Sequence, residues 1–112
     1  MSFLDDEEAR VERDRQDKLD ARRADKQLRK DVQEVLSTTG GRRLLWAFLQ
    51  SAGVDYSPLR QDAASMAHAV GWQDAARWWL DAVRRHCPEK EEQMRAEARR
   101  QGSQSAQEGD ND

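Results

Sequence analysis

The sequence is poor in most of the features that announce a mechanism. Its one cysteine excludes an intramolecular disulfide framework and fits a reducing compartment. No apolar run approaches the ~18 residues of a membrane span, and no signal-peptide pattern opens the chain. Neither glycine nor proline occurs between Asp5 and Lys30. With a net charge of -3 and a pI near 5.4, there is no basic excess to draw the molecule to nucleic acid. No glycine-rich phosphate loop is present, and no carboxylate stands alone in an apolar setting as a tuned general acid would. His86 and Cys87 are adjacent, so on a helix they point ~100° apart and do not converge on a metal or form a nucleophile–base pair. These absences leave an interaction protein, with no enzyme activity, cofactor or metal expected.

What is present divides the 112 residues into a compact centre and two polar arms. The length allows one domain at most. Residues 1–30 hold nine acidic and nine basic side chains, and residues 89–112 hold seven and four. The centre carries all four tryptophans. The expected organisation is a charged helical arm over 1–27, a central helical domain over 28–88, a polar helix over 89–101 and a disordered tail over 102–112. The fold class is all-α: a small tryptophan-rich domain of three to four helices, with a long charged N-terminal helical arm.

The first arm is rich in good helix formers. Acid-first pairs such as Asp6–Arg10, Asp14–Lys18 and Asp25–Arg29 support it, and Ser2 is placed to cap its first turn. Its apolar residues are too sparse for a continuous stripe. The helix is therefore either solvated or ordered against another molecule. In the second case Val11 and Leu19 are its candidate contacts.

Helical spacing sharpens at Leu28, Val32, Val35 and Leu36, and Thr38-Thr39-Gly40-Gly41 then breaks the chain. Thr38 or Thr39 caps a helix from about Gly41 to Ala52, with Leu44, Leu45, Phe48, Leu49 and Ala52 on one face to be buried. Gly53 fits the left-handed position after that helix, with Val54 folding back on Leu49 or Phe48. Ser57-Pro58 reads as the start of the next helix. Leu59, Ala63, Met66 and Val70 form one stripe; Trp72, Ala75 or Ala76, Trp79, Leu80, Val83 and Cys87 form a second, out of phase with the first. A kink or break at Gly71 reconciles them. Pro88 starts the polar helix.

Two tryptophans lie off the apolar stripes. Trp46 is expected to be covered by the Leu28–Leu36 segment. Trp78 shares its side with Asp74, Arg77, Asp81 and Arg85, which makes it the better interface candidate. Gly40-Gly41-Arg42-Arg43 opens a helix, where free N–H groups and two guanidinium groups suit an anion. Two solvated arginines, or a cation–π contact of Arg42 with Trp46, account for the same residues.

The segment Thr38 to Val54 resembles a small family of tailed-bacteriophage proteins with the pattern T-x-x-G-R-R-x-L-W-x-x-L-x-x-A-G-V. Thr38, Gly41, Arg42, Arg43, Leu45, Trp46, Leu49, Ala52, Gly53 and Val54 match it. A second, less specific block is met by Gly71, Asp74, Ala76, Trp79 and Leu80. Together the blocks span about Asp31 to Arg85, and neither arm is covered. Asp55-Tyr56 departs from the aromatic or basic residue expected after the first block. The resemblance implies a small helical domain encoded among the head and portal genes of short-tailed phages, with a shared purpose for Arg42, Arg43 and Trp46. In that context the expected function, given the charged arm, is a non-enzymatic virion component that docks on the portal or another multimeric virion protein, in the virion and earlier in the host cytoplasm. The arm would dock with Trp78 or Trp46 as anchor, and homo-oligomers are compatible with this. A scaffolding-type factor absent from mature particles is the first alternative, and an accessory nucleic-acid module using Arg42 and Arg43 the second.

Overall fold

The computed structural model describes residues 3–110. Those residues form four helices: α1 (Phe3–Leu36), α2 (Thr39–Ser51), α3 (Ala63–His86) and α4 (Pro88–Asp110). The all-α class is as expected. The chain divides into two compact units, one ending at Asp31 and the other beginning at Val32. The sequence places this boundary four residues earlier, at Leu28, but the first buried side chain of α1 is Val32.

The first unit is the greater part of α1, and its stability is local. Arg10 pairs with Glu7 at 2.7 Å, rather than with Asp6, and Arg15 pairs with Glu12 at 2.8 Å. Gln16 and Gln27 donate to Asp20 and Asp31 one turn on. Such exposed pairs are screened by water and support the helix only weakly. The Ser2 cap lies outside the described residues.

The second unit is built on the joint between α1 and α2. Thr38 caps α2: its Oγ1 accepts the Gly41 N–H at 3.0 Å and donates to the Val35 carbonyl at 3.1 Å. This brings the chain so close to itself that a Cβ at Gly41 would sit 1.9 Å from the Val35 oxygen. Only glycine fits there. At the other end of α2, Gly53 takes φ +70°. Its N–H bonds to Gln50 O, and that of Val54 to Leu49 O, at 3.0 and 3.1 Å. This is the expected left-handed stop, and Val54 does fold back onto the core.

Leu49, Ala52, Ala76 and Leu80 form the buried cluster, flanked by Leu45, Trp46, Phe48 and Val54. Leu36, Val83, Cys87 and Met94 are buried as well. Burial pushes the Cys87 thiol up from its ordinary value, as suits a small buried hydrophobe.

Several expectations fail here, each for a physical reason. α3 starts at Ala63, not at Pro58, because Asp62 caps it twice, accepting from Ser65 N (2.8 Å) and Ser65 Oγ (2.9 Å). Ser57 instead accepts the Leu59 N–H at 3.2 Å in a turn. α3 runs unbroken through Gly71. The two stripes need no kink because burial is confined to Ala76, Leu80, Val83 and Cys87 of the second, while Leu59 and Val70 of the first stay exposed. α4 belongs to the domain, which the sequence ends at residue 88: it packs on both α2 and α3 and buries Met94. Nor does the helix stop near 101, since α4 continues through Gly102 to Asp110. A lone glycine costs a helix only ~1 kcal/mol relative to alanine.

Candidate functional site

Arg42 is the most committed side chain of the domain. It is 8% exposed, and its guanidinium donates in three directions. Nε reaches Glu97 Oε1 at 2.8 Å, Nη1 the Leu36 carbonyl at 2.9 Å, and Nη2 Thr39 Oγ1 at 3.2 Å. The Leu36 carbonyl is the last of α1, so Arg42 closes one helix, braces the start of the next and pins α4. Neither an anion site nor a cation–π partner for Trp46 remains available in it. Arg43 is exposed and borders an open hollow with Thr39, Glu97, Arg100, Gln101 and Gln104.

Trp46 is half-buried and packs against the core cluster. Its cover comes from α4: the Arg95 guanidinium carbon lies 5.1 Å from the ring centroid. Arg95 also bonds Asp55 at 3.2 and 3.3 Å and Glu91 at 3.1 Å. Glu91 is held in turn by Arg84 at 2.6 and 3.0 Å. These guanidinium groups hold both carboxyls below their ordinary values: Asp55 chiefly through Arg95, Glu91 chiefly through Arg84. Asp55 is therefore an anchor of the turn after Val54. On α3, the buried Gln73 donates to the Gly53 carbonyl at 2.7 Å and to that of Tyr56, holding the same turn from the other side.

The surface that faces outward is aromatic. Trp72, Trp78 and Trp79 are 48%, 54% and 41% exposed, and Leu44 is 76% exposed. The sequence places Leu44, Trp72 and Trp79 on apolar stripes, but all three are exposed, on the flanks of α2 and α3. Phe48 joins the two flanks through Trp72, with ring centroids 6.4 Å apart. Trp72 donates its indole N–H to His68 Nε2 at 2.7 Å, beside a groove of about 710 Å³ lined partly by Ser51, Arg60, Ala64 and Ser65. Trp79 meets Trp78 edge-on at 4.9 Å. Leu44 and Phe48 on α2 and Trp72 and Trp79 on α3 thus lie on flanks that meet at the Phe48–Trp72 contact. Sequence periodicity singles out Trp78 and misses the others, because it fixes the face of a helix but not where the neighbouring helix stops.

In α1, Val11 is exposed and Leu19 half-buried. Neither belongs to the unit that carries the tryptophans. Among the described residues no helix is long and apolar enough to cross a membrane. Compared with known proteins, the chain matches no family model, no curated protein and no solved structure.

Proposed function

We propose that this chain is a non-enzymatic structural or assembly component of a tailed-phage virion. It docks on a multimeric phage protein, in the portal or head–tail region, through the charged helix α1 and tryptophan anchors. The observation that carries this reading is the exposure of Leu44, Trp72 and Trp79 around the Phe48–Trp72 contact on a folded domain. Indole surface of this kind supplies the centre of a protein interface. The Thr38–Val54 pattern supplies the phage context. Trp72 and Trp79 take the anchoring role that the sequence gives to Trp46, whose ring Arg95 covers. Val11 and Leu19, with the paired charges around them, give α1 its contacts.

The test is to quantify the protein by mass spectrometry in purified mature particles and in empty precursor shells. A fixed copy number in mature particles is expected, lost when residues 1–27 are deleted or when Trp72 and Trp79 are both changed to serine. Presence in precursors alone would move the assignment to a scaffolding factor. Absence from both would overturn the virion reading.

A further inference from the structure

We infer that helix α3 pairs with α3 of a second copy of this chain, antiparallel and centred beside Trp78. This goes beyond the docking reading above and uses a different face. Trp72 and Trp79 lie on the flank that adjoins Phe48, whereas Trp78 projects ~100° further round the helix. The face that carries Trp78 also carries Asp74, Arg77, Asp81 and Arg85, all exposed. Along α3 it reads acid, base, indole, acid, base.

That order is self-complementary about a two-fold axis when the helices run antiparallel. Run antiparallel, Asp74 meets Arg85 of the second copy, Arg77 meets Asp81 of the second copy, and the same contacts repeat in reverse. Run parallel in register, every charge meets its like. The midpoints of the Asp74/Arg85 and Arg77/Asp81 pairs both fall at or beside Trp79. A single two-fold axis therefore satisfies all four ion pairs and sets one Trp78 indole against the other. Such a contact is isologous and closes at two copies. The edge-on contact of Trp78 with Trp79 (4.9 Å, 87°) already holds the indole in place, so little side-chain freedom is left to lose on pairing.

One indole from each copy and surface ion pairs make a weak dimer that salt screens. The experiment is sedimentation velocity on the full chain, as a concentration series at low and at high salt. A monomer–dimer equilibrium is expected, shifted at least tenfold towards monomer by high salt. Trp78→Ser should abolish the dimer. Asp74→Arg should also abolish it, by setting like charges together, and Asp74→Arg combined with Arg85→Asp should restore it. Far-UV circular dichroism should show the same helix content throughout, since all three positions are exposed. A wild-type chain that stays monomeric at every concentration would overturn the pairing. So would a dimer indifferent to Asp74→Arg, or failure of the double reversal to restore association.

Discussion

Arg42 and Glu97, from helices far apart in the sequence, meet at 2.8 Å in the interior of the domain. Removing the arginine leaves Glu97 without its cation and the Leu36 carbonyl without a donor. Loss of one member of a buried pair costs about 3–5 kcal/mol. Arg42→Met should therefore lower the free energy of urea unfolding by that order. Arg42→Lys should recover little of it, because an ammonium on a flexible stem does not serve three acceptors arranged around a planar fork. Equal stability of Arg42→Met and wild type would show that the contact contributes nothing.

The glycines of the Thr38–Val54 segment differ sharply in what they tolerate. Gly41→Ala must displace the Val35 carbonyl or open the joint between α1 and α2, because the new Cβ would begin 1.9 Å from that oxygen. Gly53→Ala meets no close neighbour but keeps a left-handed φ of +70°, which costs an L-residue about 1–2 kcal/mol. Gly40 has open space around it and lies within α2, so Gly40→Ala should be neutral or stabilising by up to ~1 kcal/mol. Thermal unfolding of the three variants should rank Gly40→Ala highest and Gly41→Ala lowest.

Acid should loosen the turn that follows α2. Asp55 and Glu91 both have folded values below their ordinary 3.8 and 4.5. Carboxyls of that kind contribute stability that is fully present above their unfolded values and is lost as pH falls through the folded ones. Unfolding free energy should be level from neutrality to about pH 5 and then decline. Asp55→Asn should flatten part of the decline, and Arg95→Gln should flatten more, since Arg95 serves both carboxyls. An acid limb unchanged by Arg95→Gln would rule out this network as its source.

How much of this was legible in the sequence follows from which interactions are local. The Thr38 cap, the Gly53 stop and the α2 face through Leu49 and Ala52 depend on residues within two turns of one another, and spacing reveals them. The burial of Arg42 does not, because its partner Glu97 lies in a segment whose composition reads as solvent-facing. Trp79 falls on an apolar stripe and yet stays exposed, since a stripe marks what a helix offers and not how much its neighbours cover. The packing of α4 against the domain was the largest omission. Its one buried hydrophobe, Met94, does not make a stripe, and the helix is attached to the domain by charge: Glu91 to Arg84, Arg95 to Asp55, Glu97 to Arg42.

That mode of attachment makes α4 the best place to separate domain from arm. Met94 is 1% exposed, and truncating a fully buried methionine to alanine costs about 2–5 kcal/mol. A domain of this size has little to spare, so Met94→Ala should broaden or abolish cooperative unfolding. Ending the chain at residue 88 should remove Met94 together with the partners of Arg84, Asp55 and Arg42. No cooperative thermal transition should remain. Deleting residues 1–27 stops short of the first buried position of α1, Val32. Its transition should stay within a few degrees of the full chain. If instead the chain ending at residue 88 unfolds cooperatively and the arm deletion does not, the core lies in the wrong half of the molecule. If each behaves as expected, loss of docking on deletion of 1–27 reports the arm and not the fold.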